Sequence, residues 1–285
     1  MLPASRKLIK NLLSAHSAHP SKRLGQHFLT DKMVLQKIIQ AANLNPEDVV
    51  LEVGPGIGNL TLELAKIAKK IVAVEKDFKM VTILRETLRD HGNVEIVQDD
   101  ILKVNIKTLN LKPKAYKIIA NIPYYLTSHL IRKFLETDNP PKEMILMIQK
   151  EVAQRIVARP PRMNLLAVSV QFYAKPEIIT FVSKKSFWPQ PKIDSAIIKI
   201  IIDKKQSAIN KDLFFKVAKV GFSQPRKQIL NNLSKGLALS IPKGLKLNKE
   251  LIKSWLGKNK ILPTQRAETL SIKDWIKLTK TFLKL

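Results

Sequence analysis

The stretch Val49-Val-Leu-Glu-Val-Gly54-Pro-Gly56-Ile-Gly58 decides the fold. A β-branched run without polar alternation reads as a strand covered on both faces. It ends in three glycines, each separated by one residue. Asn59 to about Ala68 follows with Leu60, Leu62, Leu64 and Ile67 at helical spacing. Glycines between a strand and a helix let the backbone approach a ligand, and the first turn of the helix offers N–H groups without intrahelical partners. The G-x-G-x-G spacing differs from the G-x-G-x-x-G of dinucleotide-binding proteins.

Outward from this turn the pattern repeats. Ile71–Glu75 is a second strand, followed by a helix from Phe78 to Asp90 with Val81, Leu84 and Leu88 on one face. Val94–Val97, Lys117–Asn121 and Met144–Ile148 read as further strands, and Ser128–Glu136 as a helix. Strands alternating with helices predict βαβ units and a parallel sheet with both faces covered, an α/β fold. Leu166–Ala174 and Ser195–Ile202 are apolar and read as a sixth and a seventh strand, while the proline-punctuated Ser186–Lys192 reads as a loop. Beyond Asp203 the segments 211–221, 225–239, 248–256 and 271–283 have helical spacing only. The expected organisation is a basic N-terminal arm over 1–22, a Rossmann-like domain over 23–203 and a small all-helical domain over 204–285.

Composition narrows the function. The 285 residues include no cysteine, which excludes a disulfide scaffold, a zinc–thiolate site and a cysteine nucleophile. No apolar run approaches the roughly 18 residues of a membrane span. Lys and Arg number 50 against 23 Asp and Glu, a net charge of +27. Such an excess repels itself in a compact chain and points to a polyanionic partner, nucleic acid before an anionic membrane surface. The excess is denser towards the C-terminus, with 27 basic and 17 acidic residues up to 180 but 23 and 6 beyond. Asp31 is the first acid. The acid-free opening can be read as a transit peptide; the arm is preferred because it runs directly into patterned sequence.

Three places carry chemistry. Glu75 ends the second strand, 21 residues after Gly54, where a carboxylate can accept both hydroxyls of a ribose. Asp99-Asp100 closes the third strand, where an acid can accept from an adenine amine. Asn121-Ile-Pro123-Tyr124-Tyr125 follows the fourth. A base amine is a poor nucleophile because its lone pair is delocalised into the ring. The Asn121 side-chain oxygen and a carbonyl beside Pro123 can accept its hydrogens, and Tyr124 offers a face for stacking. Phe187, on the proline-stiffened loop, can close the other face.

These residues lie within motifs that resemble those of the small-subunit ribosomal RNA adenine N6,N6-dimethyltransferases, the dimethyladenosine transferases. The matching pieces are Leu24-Gly-Gln-His-Phe-Leu-Thr-Asp31, Leu51 to Thr61, Asn121 to Tyr125, Gln149 to Arg155, Ser186 to Ser195, Phe222 to Leu233 and Gln265 to Ser271. They span the chain in order from about residue 20 to 280. The resemblance implies a class I methyltransferase fold with a small helical C-terminal domain, and S-adenosylmethionine as methyl donor. It implies cofactor contacts at His27, Leu29, Gly54, Gly56, Glu75, Asp100 and Asn121. Asn121, Pro123 and Tyr124, with Phe187, would hold the target adenine; no metal is called for. The implied substrate is a pair of adjacent adenosines in a hairpin near the 3′ end of small-subunit rRNA, within the immature small ribosomal subunit. A cytoplasmic monomer with no membrane partner is expected. The sequence departs from the family at His27, where many members have Asn, in the short Arg159–Leu166 segment, and at Pro225 in place of an arginine.

Other readings remain. The related resistance enzymes methylate large-subunit rRNA and share the central motifs. A ribosome-assembly or mitochondrial transcription factor could use the same fold, since fold alone does not assign function. A nicotinamide oxidoreductase fits neither the glycine spacing nor Asn-Ile-Pro-Tyr.

Overall fold

The computed structural model describes residues 6–203, 209–240 and 248–282, with the side chains of 238–240 left aside. In chain order the elements are α1 (Arg6–Ala15), β1 (Phe28–Leu29), α2 (Lys32–Ala42), β2 (Val49–Val53), α3 (Asn59–Ala65), β3 (Lys70–Glu75), α4 (Phe78–Thr87) and β4 (Val94–Gln98). Then come β5 (Tyr116–Asn121), α5 (Thr127–Glu136), β6 (Glu143–Gln149), α6 (Lys150–Ile156), α7 (Leu165–Tyr173), β7 (Ala174–Val182), β8 (Phe187–Trp188) and β9 (Ser195–Ile202). Helices α8 (Lys211–Gly221), α9 (Ile229–Ser240), α10 (Lys249–Lys258) and α11 (Ile272–Phe282) complete the chain.

The main sheet has seven strands in the order β4-β3-β2-β5-β6-β9-β7. The pairs β4–β3, β3–β2, β2–β5 and β5–β6 are parallel, and β9 runs antiparallel to β6. The strand order reverses between β2 and β5, so the loops after these two strands open a crevice at their carboxyl ends. That is where open α/β sheets bind ligands. The continuous apolar reading of β2 is explained by its surroundings: Val50, Leu51 and Val53 are all buried.

Local chemistry sets the helix starts. Asp31 caps α2, its carboxylate accepting from the Met33 and Val34 N–H groups at 3.0 and 3.3 Å. Asp77 caps α4 in the same way, accepting from the Lys79 N–H at 3.0 Å. Asn43, in the left-handed region at φ 41°, ends α2.

The chain divides into two compact units. The first runs to Ala153 and takes up again over Pro176–Ile202; the second comprises Gln154–Lys175 and the residues from Asp203 on. The chain visits the second unit over Gln154–Lys175, inside the span expected to be one domain, and enters it again at Asp203. The first visit contains α7, where the sequence reading placed a strand. A helix apolar on all sides and a buried strand share one hydrophobic signature; in the structure the segment is a helix, and the Asn164 side chain caps it, accepting from the Ala167 N–H at 3.1 Å. In the second unit Phe172 of α7 stacks on Phe214 of α8 at 4.1 Å between ring centroids. Trp255 and Trp275 are fully buried there. The two late motifs meet in this unit, since the Ile229 N–H donates to the Gln265 carbonyl at 2.7 Å.

The N-terminal segment is helical where it is described. Ile9 and Leu13, one turn apart in α1, are buried with Ala18 against Phe28, Ile57, Met80 and Ile83. The Lys79 ammonium donates to the Ser17 carbonyl at 2.7 Å just beyond the helix. Residues 6–18 thus pack onto the first unit through the apolar stripe of Ile9, Leu13 and Ala18, and Arg6, Lys7 and Lys10 stay exposed. Among the described residues no helix is long and apolar enough to cross a membrane.

Candidate active site

The crevice beside β2 and β5 holds a cavity of about 270 Å³ within the first unit. Its walls are the loops that follow β2, β3, β4 and β5, closed by the segment around His27 and by Phe187.

The glycine turn comes first. Gly54 and Gly56 have φ of +66° and +59°, a region that strains any side chain with a Cβ. A Cβ at Gly56 would lie 3.2 Å from the Phe28 ring, and at Gly54 it would lie 3.8 Å from Pro123. The backbone therefore passes close under the cavity with nothing projecting from it.

Glu75 stands at the end of β3, 7% exposed. One carboxylate oxygen accepts from the Gly56 N–H at 3.0 Å and the other from the Asp77 N–H at 2.8 Å. Burial raises its pKa above the usual carboxylate range, and the N–H groups of Asp77, Gly56 and Lys76 oppose that rise. Each oxygen keeps capacity for one more hydrogen bond, so the carboxylate both braces the glycine turn and faces the cavity.

Glu52 precedes the glycine turn by two residues, and no feature of the sequence assigns it a role. It lies in β2, 1% exposed, and burial with the nearby Glu75 charge pushes its carboxyl up to about 8 despite Thr61 beside it. Its Oε2 has no hydrogen-bond partner among the described residues. Asn59 at the start of α3 shares the wall; its amide donates to the Leu29 carbonyl at 2.9 Å, and its Oδ1 is buried and unpartnered. The signal that marks Glu52 in the sequence is an acid inside an otherwise apolar strand.

Asp100 is placed at the cavity edge, with both oxygens engaged. Oδ2 pairs with the Lys76 ammonium at 2.8 Å, and Oδ1 accepts from the Leu102 N–H at 3.0 Å. The Lys76 contact holds its pKa below the usual value. The loop carrying it is tied down by Lys133 of α5, whose ammonium donates to the carbonyls of Ile101, Leu102 and Val104.

Asn121 ends β5. Its side-chain N–H donates to the His27 carbonyl at 3.1 Å. With the nitrogen so used, the amide oxygen is left as the acceptor. Pro123 follows; its carbonyl accepts from the Leu126 N–H at 2.9 Å and retains a second lone pair. The Tyr124 hydroxyl bonds to the Ser195 hydroxyl at 2.8 Å, and burial raises the Tyr124 pKa. His27 lies beside the Tyr124 ring, with centroids 6.1 Å apart and planes inclined by 27°. The His27 Nδ1 is 2.6 Å from the Pro189 carbonyl; a carbonyl only accepts, so Nδ1 carries the hydrogen.

Leu29 and Phe187 are placed differently from a free ligand contact. They are neighbours in the two-stranded β1–β8 pairing, and both side chains enter the core under the sheet while bordering the cavity. Phe187 is 1% exposed, so its ring is a wall set by packing rather than a flap on a loop. The prolines of 186–192 predict a loop, and the two-residue strand Phe187–Trp188 within it is too short to show a periodicity.

Two distant motifs are laced together here. The Thr30 N–H and hydroxyl both donate to the Ser186 carbonyl, and the Ser186 hydroxyl donates to Asp31. Gln26 donates to Asp77 at 2.8 Å, which anchors the same segment over the end of β3. Of the residues singled out in the sequence, His27, Leu29, Gly54, Gly56, Glu75, Asp100, Asn121, Pro123, Tyr124 and Phe187 all border this one cavity.

Known proteins are similar to this chain in sequence and in fold. The sequence profile of the family described as ribosomal RNA adenine dimethylase matches residues 17–282. The chain is 41% identical over 278 residues to Ribosomal RNA small subunit methyltransferase A of Dehalococcoides mccartyi, covering 97% of this chain and 93% of that one. It is 40% identical to the protein of the same name from Clostridioides difficile, covering 95% and 94%. Among solved structures it is similar to a dimethyladenosine transferase from Plasmodium falciparum, with a TM-score of 0.79 at 28% identity over 90% of this chain and 98% of the other. The chain belongs to the ribosomal RNA adenine dimethylase family and is a methyltransferase of that family's Rossmann-like fold.

Proposed function

We propose that this protein dimethylates the N6 amines of two adjacent adenosines in a hairpin near the 3′ end of small-subunit rRNA, using S-adenosylmethionine. The observation that carries the reading is the Asn121-Ile-Pro-Tyr124 turn standing in one cavity with Glu75 and the glycine turn.

The residues present suit that cofactor. Glu75 supplies a carboxylate for ribose hydroxyls. The bare glycine backbone leaves room, and the unpartnered Glu52 Oε2 and Asn59 Oδ1 are buried polar atoms free to bond a ligand. When bound, the cofactor supplies a methyl group activated by a positively charged sulfur. The chain's own work is positioning and electrostatics. Asn121 Oδ1 and a carbonyl of the turn accept the amine hydrogens, which favours tetrahedral nitrogen and leaves its lone pair for the new C–N bond. Tyr124, pinned by Ser195, stacks on the base, and Phe187 closes the cavity wall. The amine proton leaves to solvent after the C–N bond forms, so no strong base is required.

The reading places the protein as a monomer in the cytoplasm, acting on immature small subunits. The basic excess beyond residue 180 supplies phosphate contacts, so affinity for RNA should fall steeply with salt. The test is transfer from labelled S-adenosylmethionine to unmethylated small subunits and to unmethylated large-subunit rRNA, followed by digestion to nucleosides. Label in N6,N6-dimethyladenosine from small subunits is expected. Label only from large-subunit rRNA, or none with cofactor bound, overturns the reading.

A further inference from the structure

Tyr125 stands at the rim of the same cavity and has no part in the chemistry described above. Among the described residues the strongly exposed aromatic side chains are Phe78, Tyr125 and Phe181, and of these only Tyr125 borders the cavity. Tyr125 is 54% exposed, whereas its neighbour Tyr124 turns inward to Ser195. An aromatic ring exposed at the rim of a cavity presents a flat face on which a base can stack.

The ring is also backed. The position of a Cβ on Gly25 would lie 3.6 and 3.7 Å from Tyr125 Cδ1 and Cε1, so the bare backbone of Gly25, at φ +60°, supports one side of the ring. Lys76 borders the cavity with Tyr125 and is exposed, its ammonium 2.8 Å from Asp100, and the exposed Arg23 directly precedes the lining residue Leu24. A supported aromatic ring with cations beside it is the chemistry of a single-stranded nucleic-acid platform, with base on ring and phosphate on cation.

We infer that Tyr125 is the stacking platform for the nucleobase adjoining the target adenine, which it holds outside the cavity while the target is inside. The inference rests on the proposed RNA substrate. It gives the protein a device for keeping two adjacent adenosines in register while each in turn enters the cavity.

The test is a cycle between residue and base. Small subunits are reconstituted with rRNA carrying either the two adjacent adenosines or one adenosine beside an abasic ribose. Methyl transfer at limiting RNA is measured for the wild-type protein, Tyr125→Ala, Tyr125→Phe and Tyr125→Leu. Loss of the neighbouring base should slow the wild type and Tyr125→Phe about tenfold, the size expected for one stacked base. Tyr125→Ala and Tyr125→Leu should already be about tenfold slower on intact RNA and should lose nothing further on abasic RNA. Additive losses overturn the inference, as does a Phe variant that behaves like Ala. A fall in cofactor affinity in Tyr125→Ala without coupling to the neighbouring base also overturns it, since the ring would then serve the cofactor. If the wild type methylates neither RNA, the proposed substrate fails first and the inference falls with it; if the wild type is active and the cycle is additive, only the inference fails.

Discussion

The Tyr124 hydroxyl lies 2.8 Å from the hydroxyl of Ser195, a fully buried residue at the start of β9 and 71 positions away in the chain. A tyrosine ring has two side-chain torsions, and pinning the hydroxyl at its far end selects one orientation of both. The ring is thereby held ready beside Asn121 before any substrate arrives. Such a bond contributes about 1 kcal/mol. Ser195→Ala is expected to lower the methyl-transfer rate about fivefold to tenfold, with cofactor affinity unchanged. Tyr124→Phe should lose a similar amount, and the double variant should lose little more than either. Transfer kinetics on the four proteins decide; fully additive losses would remove the positioning role.

Glu75 has two tasks, so two substitutions separate them. Glu75→Gln keeps an acceptor for one of the Gly56 and Asp77 N–H groups and removes the charge; Glu75→Ala removes both contacts. Calorimetry with S-adenosylmethionine should show affinity falling about tenfold for Gln and further for Ala, by the usual size of a charge-assisted hydrogen bond. Equal affinity in all three proteins would contradict the ribose role.

Glu52 predicts a pH dependence of stability. Its carboxyl holds its proton up to about 8 in the folded protein, against about 4.5 when unfolded. Between these values the folded state binds more protons than the unfolded state, so this group makes stability fall as pH rises. Glu52→Gln removes that dependence. Urea unfolding at pH 5 and pH 8 should show the variant losing less stability across the interval than the wild type, by a margin on the order of 1 kcal/mol or more. Identical slopes would show that Glu52 is ionised or solvated in the native protein.

Lys117 holds the opposite end of the sheet. Lys117 is 4% exposed, and its ammonium is 3.1 Å from both Asp48 and Glu143 and donates to the Ala42 and Asn43 carbonyls at the end of α2. Lys199 shares Glu143 at 3.1 Å. Lys117→Met leaves Glu143 buried with one partner fewer and the α2 carbonyls unpaired. A loss of about 3–5 kcal/mol in unfolding free energy is expected, as for breaking a buried pair from one side. A loss below about 1 kcal/mol would mean that water replaces the ammonium.

Much of the site was legible because its signals are local. Gly54 and Gly56 announce a turn that only glycine tolerates, and Glu75 follows at the distance of one βαβ step. Asn121-Ile-Pro-Tyr124 is contiguous. Glu52 went unassigned because a buried acid within a strand looks in sequence like one polar residue in an apolar run. Tyr124 and Tyr125 are adjacent and chemically alike, so nothing local says that one is pinned inside while the other stands in water.

The alternation of strands and helices, the parallel sheet and the loops at its carboxyl ends follow from the order of residues alone, because periodicity and glycine act within a few residues. Tertiary structure alone decided that Leu165–Tyr173 is a helix, since burial on all sides erases the difference between the two periods. It also decided that Ile9 and Leu13 enter the core and that Thr30 and Asp31 meet Ser186. Contacts between residues more than a hundred positions apart depend on how the whole sheet and its covering elements close. No short stretch of chain encodes that closure, and it is what turns separate motifs into one cavity.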